Sequence, residues 1–206
     1  MSIATALFPA SALAATQWSY GGPKAQERQP IRKGVWKELP VAGTLYFRLH
    51  VPLHGGIRIT CTTTGRMAFS NSETNGLDQT RALAFSCTAE CGAVTLKARE
   101  LPWPSILTGT EIPLRDEWSG VALAVTCGAT HYGTFTGSLA GWAGDKDPNG
   151  ENGGESGPDE PDSELRLKGS DGYPVLHGRN ESTLAAVGIL KVGIAGKEVV
   201  VAELHP

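Results

Sequence analysis

Several signals that would assign a function quickly are missing from this chain. No run approaches the roughly 20 consecutive apolar residues of a membrane-spanning helix, so no transmembrane helix is expected. Lys and Arg total 18 of 206 residues and never cluster densely, which argues against a nucleic-acid surface. There is no H-E-x-x-H for zinc and no G-x-S-x-G nucleophile elbow. No segment sustains a helical period, and no internal repeat occurs. What remains is turn-rich: 26 glycines and 13 prolines beside 40% hydrophobic residues. That composition predicts a β-protein with a full core.

Period-2 alternation marks the strands. Leu45, Phe47 and Leu49 alternate with Tyr46, Arg48 and His50, and Gly55-Gly56 turns the chain into Ile57–Cys61. A second hairpin is expected at Thr62–Gly65, then a polar turn over Asn71–Gln79 centred on Asn75-Gly76, then a strand over Arg81–Cys87. The Leu101-Pro102-Trp103-Pro104 segment is not expected inside a central strand, because proline lacks a ladder donor. Gly120–Cys127 reads as a central strand, Tyr132–Leu139 as another, and Leu184–Val192 with Glu198–Leu204 as a C-terminal hairpin. About ten short strands with glycine-rich turns predict an all-β, disulfide-stapled β-sandwich, with a partly closed β-barrel as the alternative.

The domain layout follows from composition. Residues 1–14 have no charged side chain and end Ala12-Leu13-Ala14, an A-x-A cleavage pattern, so they read as a signal-peptide remnant. Residues 15–206 read as a single β-domain. Within it, 144–163 is nearly devoid of apolar side chains and is expected to be a mobile acidic loop. The formal net charge is −3, yet residues 145–164 alone carry −7 and the rest +4. Export to a secreted or cell-surface location gives the four cysteines their meaning as bridges. Three pairings are possible. The one with Cys87–Cys91 across a tight corner and Cys61–Cys127 between strand ends is favoured over the other two. Together its two bridges would contribute roughly 6 kcal/mol. A four-thiolate zinc site is the weaker reading, since only one pair is close in sequence.

The order of an early Trp18, a strand ending at Cys61, the Cys87/Cys91 pair, Leu101-Pro102-Trp103, and a strand from Gly120 to Cys127 resembles a family of secreted actinobacterial β-rich proteins. The resemblance covers roughly residues 15–140. It implies export and β-architecture, and it implies no activity.

Candidate chemistry is sparse. Asp145, Asp147 and Asn149 open like an oxygen-rich calcium loop, but Ser156 stands where a bidentate Glu is needed. No cofactor is expected, a calcium ion in this loop being the alternative. Trp103, Trp118 and Trp142 are candidates for an aromatic binding platform, with core packing as the plainer role. Glu111 and Asp116 could be paired as hydrolytic carboxylates. His50 and His54 have a ligand-like spacing that needs a helix, and Pro52 falls between them. The functional expectation is an exported, non-enzymatic β-sandwich that binds or structures an envelope polysaccharide or surface protein. A secreted hydrolase and a self-associating filament or surface-layer subunit are the alternatives.

Overall fold

The computed structural model describes residues 15–22, 27–52, 55–111, 113–143, 164–167, 175–193 and 199–205. They form thirteen strands and no α-helix. Strand β1 (Ala15–Gly21) is flanked by β13 (Val199–His205) and β2 (Arg28–Pro30) in a three-stranded sheet. The other ten strands close into an eight-stave barrel, so the barrel alternative is the architecture formed.

Six staves follow the chain in antiparallel order. They are β3 (Lys37–Val51), β4 (Gly55–Asn71), β5 (Gly76–Ala89), β7 (Trp103–Thr108), β8 (Leu114–Cys127) and β9 (Thr130–Ala143). The seventh is split between β10 (Glu164–Leu167) and β11 (Val175–His177), each bonded to β9 on one side and to β12 (Thr183–Val192) on the other. Strand β12 then pairs with β3 and closes the ring. Strand β6 (Val94–Arg99) runs along β8 beyond β7, so β6 and β7 form one stave broken at Glu100–Pro102.

The inward positions are those the alternation predicts. Leu39, Val41, Leu45, Phe47 and Leu49 of β3 are buried, as are Leu184, Ala186, Leu190 and Val192 of β12. Eight staves leave an interior just wide enough for side chains to fill. Two bulges reset the phase. One lies between Trp118 and Val121, where Gly120 takes φ 65°. The other lies where β4 and β5 slip register beside Arg66 and Met67. Inward residues therefore run Leu114, Asp116, Trp118 and then Val121, Leu123, Val125 on β8, and Asp78, Thr80 and then Leu83, Phe85, Cys87 on β5.

The three-stranded sheet caps one barrel end. Trp18 meets Phe69 edge-on with ring centroids 5.0 Å apart. Gly76 is required beneath it, because a Cβ there would lie 2.8 Å from the Trp18 Cδ1. Asn71 locks the cap. Its Oδ1 accepts from the Trp18 N–H at 2.8 Å, and its Nδ2 donates to the carbonyls of Trp18 and Ile31 at 3.0 and 2.7 Å.

Three local expectations are corrected. Thr62–Gly65 is not a hairpin but mid-strand in β4, where Gly65 allows close approach to β5: a Cβ would sit 2.1 Å from the Ala82 carbonyl oxygen. The chain instead turns over Ser72–Asn75, with the Ser72 N–H donating to Asn75 O at 2.8 Å. Trp103 and Pro104 do lie in a strand flanked on both sides; β8 pairs with β7 only from Ser105 onward, beside its bulge, so no β8 partner stands opposite Pro104. The C-terminal hairpin does not form, because β12 stays in the barrel wall while β13 crosses to pair with β1.

Candidate functional site: an apolar cavity beside a buried carboxyl pair

Inside the barrel is a cavity of about 30 Å³, with an almost wholly apolar surface. Phe47, Phe85, Trp103 and Trp118 give it four aromatic walls, and Thr80, Leu83 and Leu123 are among the residues completing it. Phe47 and Phe85 meet edge-on at 6.0 Å. The Trp103 indole N–H donates to the Arg99 carbonyl at 2.7 Å, which fixes that ring.

The cavity lies beside a stretch of wall without ladder hydrogen bonds. Strand β5 is bonded to β7 only from Leu77 to Thr80. Beyond that, Arg81–Ala89 has no ladder on its outer edge, and β6 is bonded only to β8. The two facing edges share a single isolated bridge, Ala89 to Gly92, at their corner. Leu83 and Phe85, which line the cavity, are only half-buried along this seam.

Both disulfides flank the seam. Cys61 lies directly opposite Cys87 in the β4–β5 ladder, with Cα atoms 4.1 Å apart, and the two are bonded. Cys91 at the corner is bonded to Cys127 at the end of β8. The favoured pairing, Cys87–Cys91 with Cys61–Cys127, is thus replaced by one in which β4–β5 register sets Cys87 directly opposite Cys61 and leaves Cys91 to Cys127. No cysteine is free. The Cys91–Cys127 bridge ties the unladdered corner to the wall. Replacing both residues, C91A/C127A, is expected to cost roughly 4 kcal/mol by loop entropy. Urea denaturation of the variant against the native chain measures it.

Beside the cavity sits a carboxyl pair. Asp78 is one inward position from Thr80 on β5, and Asp116 one inward position from Trp118 on β8. Residues two apart on a strand lie about 7 Å from each other on the same face. Ser105 of β7 stands between them in register, opposite both Asp78 and Trp118. Both carboxyls are fully enclosed, and their oxygens, the Ser105 hydroxyl and the Trp118 indole N–H have no partner of ordinary hydrogen-bond geometry. Burial raises the Asp78 pKa, with Ser105, Asp116 and Trp118 close enough to offset part of the rise. Burial raises that of Asp116 well above the usual range, and the Asp78 charge pushes it further. Like charges this close do not both ionise, so the pair shares one proton near neutral pH. No Lys, Arg or His is among the buried polar residues described.

The sequence-predicted residues fall elsewhere than expected. Trp103 and Trp118 are 3% and 4% exposed, inside the barrel, while Trp142 lies on the outer side of β9 opposite Arg115 and Arg166, so the three form no surface platform. Glu111 is exposed and Asp116 enclosed, so they are not a catalytic pair. Asp145, Asp147 and Asn149 lie outside the described residues, as does the 144–163 segment. Among the described residues, no three acidic, His or Cys side chains are placed to hold a metal, and no helix is long and apolar enough to cross a membrane. His50, His131 and His177 are separately exposed. Asp78 was not foreseen as a site residue because it stands in a polar stretch that reads as a turn.

No family model, curated protein or solved structure matches this chain. The resemblance drawn from the cysteine and Leu-Pro-Trp order therefore carries no further weight.

Proposed function

We propose that this chain is an exported, non-enzymatic binding module that takes a small apolar group into the barrel through the β5–β6 seam. The supporting observation is the juxtaposition of an aromatic-lined cavity with a stretch of wall, between β5 and β6, that lacks a backbone ladder among the described residues. Apolar cavities in barrel interiors are the usual place for small-ligand sites. A cavity of about 30 Å³ admits roughly two water-sized groups, so it takes the tip of a ligand, the remainder lying in the seam. Export is part of the proposal. Two disulfides suit an oxidising compartment, and Ala12-Leu13-Ala14 supplies a cleavage pattern. An envelope component bearing an exposed alkyl or aromatic tip is the class of ligand this reading favours. The hydrolase alternative loses support because the carboxyl pair is enclosed, leaving a substrate no path to it in this conformation.

The test is uptake of short neutral alcohols, followed by tryptophan fluorescence and by methyl shifts of Leu83, Leu123 and Leu139. Saturable shifts confined to these residues are expected. Leu83→Trp, which fills the seam mouth at a half-exposed position, is expected to weaken uptake at least tenfold while the chain stays folded. Unsaturable or scattered shifts, or unchanged uptake by L83W, would sink the proposal. N-terminal sequencing of protein recovered outside the host cells tests export, with Ala15 or a neighbouring residue as the expected first residue.

A further inference from the structure

Resting on that reading of the cavity, we infer that the group it takes is cationic: a methylated ammonium, one methyl entering between Phe47, Phe85, Trp103 and Trp118 and the remainder lying in the seam. Three observations converge. First, four aromatic side chains line one small cavity, and the negative faces of such rings attract a cation that carries no hydrogen-bond donors of its own. The lining has almost no polar surface, so a primary ammonium or a guanidinium would leave its N–H groups unpaired there, whereas a methylated one has none to satisfy.

Second, Asp78 and Asp116 lie one inward position from Thr80 and Trp118, which line the cavity. With one proton between them they place a single negative charge in the barrel interior. No basic side chain among the buried described residues answers it. A buried charge without a counter-ion is costly, and a cation in the cavity supplies one across a low-dielectric gap of about 7 Å. Third, the Ser105 hydroxyl and the Trp118 indole N–H are buried and unpartnered at the same place. Both are donors beside the pair, and neither carries a positive charge to balance it.

The experiment compares choline with 3,3-dimethylbutan-1-ol, its uncharged carbon isostere, by calorimetric titration of the full chain at pH 7.5 and physiological salt. Choline is expected to bind at least tenfold more tightly. In the double variant Asp78→Asn/Asp116→Asn, which removes the charge altogether, the difference between the two is expected to collapse to less than threefold. Equal affinity of the two ligands for the native chain would overturn the cationic assignment while leaving the apolar-cavity reading intact. Binding of neither would overturn both. A choline preference that persists in the double variant would place the attraction elsewhere on the protein and overturn the inference as well. Circular dichroism of the double variant confirms that it is folded before titration.

Discussion

Asn71→Ala is expected to release the cap and cost about 3–4 kcal/mol. The side chain is 3% exposed and makes three hydrogen bonds to backbone groups of two separate segments. Truncation leaves the Trp18 N–H and the Ile31 carbonyl buried without those partners, at about 1–3 kcal/mol each. The Trp18 carbonyl keeps a second partner, the Ile31 N–H at 2.8 Å. Asn71→Asp should be no milder, since it keeps the acceptor for Trp18 but turns an oxygen toward two carbonyls. Because β1 carries both β2 and β13, the loss is expected to appear in two stages: a red shift of Trp18 fluorescence at low denaturant, then unfolding of the barrel. A single coincident transition with unchanged midpoint would show that the cap is not held by this residue.

Asp116→Asn should stabilise the protein at pH 8, and scarcely at pH 4. A carboxyl whose pKa is higher in the folded state binds its proton more readily there. Stability is then greatest below the unfolded value near 3.8 and falls as pH rises toward the folded value. For Asp78 that decline runs from about pH 4 to about 6, and is worth about 3 kcal/mol. Asp116, raised further by burial and by its neighbour's charge, extends the decline upward. An amide in place of Asp116 keeps the shape, carries no charge and relieves Asp78. Thermal melts of both proteins from pH 4 to pH 8 give the comparison. The native chain should lose stability relative to the variant steadily across that range. Parallel curves would mean that the pair does not share a proton in the folded state.

The barrel was legible where strands alternate strictly. Leu45, Phe47 and Leu49 announced an inward face, and Val121–Cys127 announced a strand buried on both sides. Closure was not legible, because sandwich and barrel use the same alternation and differ only in which strands meet at the end. That β10 and β11 share one split stave was not legible either, because their partners β9 and β12 are fixed only by closure. The site was hidden by two bulges. Alternation counted back from Leu83 puts Asp78 on the outer face; the register slip turns it inward. The same effect hides Asp116 behind Gly120. The cysteine pairing failed for a related reason: sequence proximity favoured Cys87–Cys91, whereas the ladder set Cys87 opposite Cys61.

Everything functional in this account depends on the open joint between β5 and β6. Hydrogen exchange of individual backbone amides at neutral pH tests it most directly. Along Arg81–Ala89, amides bonded to β4 should exchange slowly, and the alternate ones, which face β6, should exchange quickly. Along Val94–Arg99 the same contrast should appear between amides facing β8 and those facing β5. Slow exchange at every amide of both strands would reveal a closed ladder, leaving the cavity sealed and the proposed binding route without a door.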